Sequence, residues 1–196
     1  PLVFVFAFAG HSGLLSPDFL TPQELIVRAR GDAWLQLGHA LVTLNTGLLV
    51  IVAIHFMRLL DSTSLAWAGL IGAILAVLGA LMLAADKGAL CLTMSALDQL
   101  PNEEFAQMMP GLSVIFAKEG WLVLLWGILL LPIGFAIQAI GLLRSKVIPR
   151  WQSVILLIGV LFVATPDGVE IINLIASILL AVAFVPYGIR MIANRP

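Results

Sequence analysis

Residues 120–141 read GWLVLLWGILLLPIGFAIQAIG, and this run decides the fold. It carries no charge from Gly120 to Gly141, and about 20 apolar residues suffice to cross a bilayer as an α-helix. Glycine returns at a fixed interval, at Gly120, Gly127, Gly134 and Gly141. Seven residues is nearly two helical turns, so these positions share one face that drifts by about 20° per heptad. In lipid, small residues on one face let two backbones approach, and van der Waals packing then holds them together. The run therefore reads as a membrane span and as the post for its neighbours. Gly72 and Gly79 repeat the spacing on an earlier apolar segment and form its natural partner face.

Working outward, the composition agrees. The chain is 61% hydrophobic and 11% charged, where a soluble domain carries roughly 25% charge. Its mean hydropathy is +1.10. The expected fold is all-α: a polytopic membrane helix bundle of about six spans in a single domain, residues 1–196. A net charge of −1 gives no bulk electrostatic case for nucleic acid. The single cysteine, Cys91, allows no intrachain disulfide and no cysteine metal cluster. It reads as a small apolar packing residue.

The spans follow in order. Residues 1–9 read as the end of an incomplete first span, or of a signal peptide's apolar region. Thr21-Pro22-Gln23-Glu24 has the pattern of a capped helix start, opening a short interfacial helix to about Arg30. A second span covers Ala33 to Leu60, with Trp34 and Arg58 as boundary anchors. The third starts near Ser64, is apolar to Ala85, and keeps a helical pattern beyond Asp86 and Lys87. Pro101 to Pro110-Gly111 reads as a separate amphipathic surface helix with Phe105, Met108 and Met109 on its apolar side. The fourth span runs from about Ser113 to Leu143, kinked at Pro132. Residues 149–165 and 169–192 complete the set.

Charge orients the bundle. With both termini cytoplasmic, Arg58, Arg144, Lys146, Arg150, Arg190 and Arg195 lie inside with one acid, Asp61. Arg28, Arg30, Lys87 and Lys118 lie outside with the other ten acids. Lys and Arg collect on the inner side, and the setting is a bacterial cytoplasmic membrane.

Polar side chains inside a bilayer are costly and mark candidate sites. His39, Thr43 and Thr46 form one helical stripe, and Glu170, Asn173 and Ser177 another. Both fall in the outer half of this topology, near Asp86 and Glu119. An outward polar pocket lined by His39, Thr43, Asp86, Glu119, Glu170 and Asn173 follows. Three readings of it remain open. The stripes can be interhelical hydrogen bonding. They can bind a ligand such as a quinone head or lipid head, or carry protons. Or His39, beside Gly38 and Ala40, can be an axial ligand to haem or another flat pigment. No other metal site is expected.

Zinc-hydrolase, nucleophile-elbow, phosphate-loop and dinucleotide motifs are missing from the sequence, so an enzyme is not expected. Gly141-Leu142-Leu143-Arg144-Ser145-Lys146-Val147-Ile148-Pro149-Arg150-Trp151, together with Pro166, Asp167, Glu170, Ile171, Ile172, Asn173, Leu174 and Ile175, resembles a family of small bacterial six-span membrane proteins. That family has no established activity, so the likeness implies a topology and transfers no site. The expected role is a non-catalytic accessory or scaffold subunit of a larger membrane assembly. Its partners would be lipid and other membrane subunits, with the acidic loop from Asp98 to Glu104 as a partner surface. The alternative is a small carrier or cofactor-binding protein that uses the outward pocket.

Overall fold

A computed structural model describes residues 1–10, 20–117, 129–163 and 170–193. Every regular element among them is an α-helix: α1 (Leu2–Ala9), α2 (Pro22–Ala29), α3 (Ala33–Asp61), α4 (Ala66–Leu97), α5 (Asn102–Ala117), α6 (Leu130–Ser145), α7 (Arg150–Val163) and α8 (Glu170–Ala193). Three of the described helices are long and apolar enough to cross a membrane: α3, α4 and the part of α8 from Ile171 to Ala193. At 1.5 Å per residue, α6 and α7 reach only about 24 and 21 Å, short of a core of about 30 Å. The segments 118–128 and 164–169 that adjoin them lie outside the described residues, as do Gly120 and Gly127.

The helices pack as antiparallel neighbours, and the register can be read residue by residue. Met57 and Leu60 of α3 press on Gly69 of α4, and Thr43 faces Gly88. On the other side of α4, Gly79 lies against Leu131, Gly72 against Gly134 and Gln138, and Ala68 against Gly141. At Gly72, Gly79 and Gly134 the approach is backbone to backbone. A Cβ added at Gly72 would sit 2.7 Å from the Gly134 carbonyl oxygen. One added at Gly134 would sit 2.6 Å from the Gly72 carbonyl oxygen and overlap the Ala76 amide nitrogen. The two glycine faces are thus each other's partners. Gly159 of α7 packs on Leu180 of α8, and α8 rejoins α3 where Phe56 meets Phe184 at 5.5 Å between ring centroids. α1 packs on both α3 and α8, with Phe6 edge-on to Trp34.

Burial over residues 68–81 of α4 is inverted relative to a water-soluble helix, whereas its last turns bury Leu90, Met94 and Leu97. Ala68, Gly69, Gly72, Ala73, Ala76, Gly79 and Ala80 are buried. Leu70, Ile71, Ile74, Leu78 and Leu81 are exposed. In water the large residues would turn inward to remove apolar area from solvent. In lipid that drive is absent, and the small residues turn inward to bring backbones together.

Four expectations are corrected. Pro110-Gly111 does not end a helix; α5 runs through it to Ala117. Phe105, Met109, Leu112 and Phe116 form one stripe across the proline and pack on Ile26 and Leu97, and this packing outweighs the missing N–H. Met108 points outward at 46% exposure, because it falls off that stripe. A single span from Ser113 to Leu143 is not observed either, since residues up to Ala117 belong to α5 and α6 opens at Leu130. Pro132 accordingly sits in the first turn of α6 and not in mid-helix, at a place where an N–H would have no intrahelical acceptor.

Two expectations hold at the atomic level. Thr21 caps α2 with a reciprocal box: Glu24 N donates to Thr21 Oγ1 at 3.3 Å, and Thr21 N donates to Glu24 Oε2 at 2.7 Å. α4 does continue past Asp86 and Lys87, to Leu97.

Candidate functional site

The antiparallel registers sort the charges to two ends. The C-terminal ends of α3, α6 and α8 meet the starts of α4 and α7, which gathers Arg58, Asp61, Arg144, Lys146, Arg150 and Arg190. The opposite end holds α2, α5, Asp32, Asp86, Lys87, Asp98, Glu103 and Glu104.

At the acidic end the expected polar stripe is built on α3. His39 Nδ1 lies 2.8 Å from the Leu35 carbonyl oxygen; an oxygen there can only accept, so Nδ1 is the donor. Thr43 Oγ1 donates to His39 O at 2.9 Å, and Thr46 Oγ1 to Thr43 O at 2.6 Å. Thr43 also packs opposite Gly88, two residues past Asp86. The structure therefore brings Thr43 and the Asp86 turn to one level, where Asp86 pairs with Lys87 at 3.6 Å.

Asn173, 9% exposed, belongs to α8. That helix packs chiefly on α7 and α1, and Ser177 Oγ donates to Asn173 O at 2.8 Å. Glu119 and the Glu170 side chain lie outside the described residues. Among the described residues no group of three or more His, Cys, Asp or Glu side chains could hold a metal ion.

Asp98 is not free to meet a partner. It accepts from Gly31 N at 2.8 Å and from Gln36 Nε2 at 2.5 Å, tying the end of α4 to the α2–α3 junction. Arg30 completes the tie: its Nη2 donates to Leu100 O at 2.7 Å, and its guanidinium lies 4.1 Å from the Phe105 ring centroid. Of the three acids in that loop, Glu103 and Glu104 are exposed.

Three buried polar residues were not legible as sites. Gln138 of α6 is fully buried, and its Nε2 donates to Ala53 O at 2.9 Å and Gly69 O at 3.1 Å. One side chain thereby pins α3 and α4 to α6. The sequence held a usable signal, for Gln138 lies four residues after Gly134 on the glycine face. Gln152 of α7 is also fully buried and donates to Ala183 O at 2.8 Å, pinning α8. Ser153 is buried beside it. His55 Nε2 and Tyr187 Oη lie 2.9 Å apart and join α3 to α8.

The chain matches no protein-family model, no curated protein and no solved structure.

Proposed function

We propose that this protein is a non-catalytic integral membrane subunit, an accessory or scaffold component of a larger membrane assembly. The observation that carries the reading is the inverted burial on α4, with glycine and alanine inward and leucine and isoleucine outward. Such a surface fits lipid or the flank of another membrane helix. On α3 the pattern is mixed: Leu44, Leu48 and Ile51 are exposed and Gly38 and Ala53 buried, while Phe56 and Leu60 are buried as well. The whole chain would form about six spans in a bacterial cytoplasmic membrane, with the basic end and both termini cytoplasmic. The sorting of Arg58, Arg144, Lys146, Arg150 and Arg190 to one end supports that orientation. The carrier reading has less support, because His39, Thr43 and Thr46 bond the backbone of their own helix.

Crosslinking in the native membrane, followed by purification in mild detergent, tests the reading. A reproducible membrane-protein partner is the expected result. A chain recovered only as an isolated monomer, with no partner, would overturn the subunit role.

A further inference from the structure

An open cleft of about 320 Å³ lies at the basic end, between the α6–α7 connection and the last turns of α8. Val147, Ile148, Pro149, Gln152, Tyr187, Arg190 and Met191 line it. Its character is split. Val147, Ile148 and Met191 give apolar walls, and Arg190 gives a cation. The Arg190 Nε donates to Pro186 O of its own helix at 3.3 Å, a bond that leaves both Nη groups for a ligand. Lys146 and Arg150 flank the lining segment at either end, and Arg144 is two residues further back. No described carboxylate lies within ion-pairing distance of these four cations; Asp61 is the one acid at this end among the described residues. Among the described residues this excess positive charge is thus uncompensated.

Gln152 backs the cleft: it is fully buried, its Nε2 donates to the Ala183 carbonyl at 2.8 Å, and its Oε1 is closed to anything the size of water. It fixes α7 to α8 behind the lining residues. Outside the cleft, Trp151, Ile189 and Ile192 expose apolar surface beside it.

We propose that this cleft binds the headgroup of an anionic phospholipid. The phosphate sits on Arg190, with Lys146 and Arg150 around it, through charge-assisted hydrogen bonds. The acyl chains run along Val147, Met191, Ile189 and Ile192. That apolar border is what selects an amphiphile over a soluble phosphate. The inference rests on the membrane location proposed above but not on the subunit role.

The test is native mass spectrometry of the full chain in neutral detergent, with phosphatidylglycerol, phosphatidylcholine or soluble glycerol phosphate added. Phosphatidylglycerol should be retained over phosphatidylcholine, and soluble glycerol phosphate should not displace it. Each cation near an anionic lipid surface changes binding by about fivefold, so Arg190→Gln should weaken retention by about that factor. A Lys146→Gln, Arg150→Gln, Arg190→Gln triple variant should remove the preference while keeping the helical circular dichroism. Equal retention of the two lipids, no change in the triple variant, or full displacement by glycerol phosphate would each overturn the proposal. A chain that needs no detergent would overturn it together with the membrane location. No lipid preference in the parent chain, which still requires detergent, overturns the cleft alone.

Discussion

A methyl group at Gly134 has no room, since it would overlap the Ala76 amide nitrogen of the facing helix. Replacing Gly134 or Gly72 with alanine must push α4 and α6 apart, and overpacking of this kind costs about 1–3 kcal/mol. Thermal unfolding in detergent should show both variants well below the parent. Gly88→Ala is the control: its added carbon would meet Thr43 Cγ2 at an ordinary 3.5 Å, and stability should hold. Gln138→Leu tests a different residue. It removes two interhelical hydrogen bonds, each worth about 0.6 kcal/mol in a membrane protein. It also removes the buried Oε1 that has no partner. The net loss should be about 1 kcal/mol or less, smaller than for either glycine. The reverse order would show that polar pinning, and not close packing, holds α6.

At the scale of elements, α2 is held by its cap. Two hydrogen bonds from Thr21, the backbone one first, hold the exposed Glu24 carboxyl below its ordinary pKa. The ionised form is thus the one that supports the folded helix. That support is complete above the ordinary glutamate pKa and is lost as pH falls through the lowered folded value. Protection of the first-turn amides of α2, measured against their intrinsic exchange rate at each pH, should fall over that acid window, and Glu24→Gln should remove that fall. Thr21→Ala should cost α2 about 1 kcal/mol at neutral pH.

The same scale shows where local rules gave way. Pro110 and Gly111 are strong stop signals, yet the stripe of Phe105, Met109, Leu112 and Phe116 lies on one side of a continuous α5. The signal to weigh against the proline was the i, i+4, i+7 spacing of that stripe, which carries across it. Pro132 shows the converse, because its position within a helix depends on where the helix starts. That start, at Leu130, is not written in the apolar run around it.

For the whole molecule the decisive quantity is sidedness. The register puts Ser62 and Ser145 at one end and Glu103 at the other. Single cysteines there, in a Cys91→Ala background, should divide into two labelling classes with an impermeant thiol reagent on intact cells. Ser62→Cys and Ser145→Cys should share one class and Glu103→Cys the other; all three in one class would refute the membrane arrangement.

Periodicity and composition alone determined that this chain is helical, apolar and matched by glycine faces. Those properties depend on side-chain size and charge at fixed helical spacing, which a sequence displays directly. The pairing of Gly72 with Gly134, the engagement of Asp98 by Gly31 and Gln36, and the basic cleft around Gln152 and Arg190 were decided only by the tertiary structure. Each joins residues dozens of positions apart, and the register at which two such segments meet is a property of three-dimensional packing that no local pattern encodes.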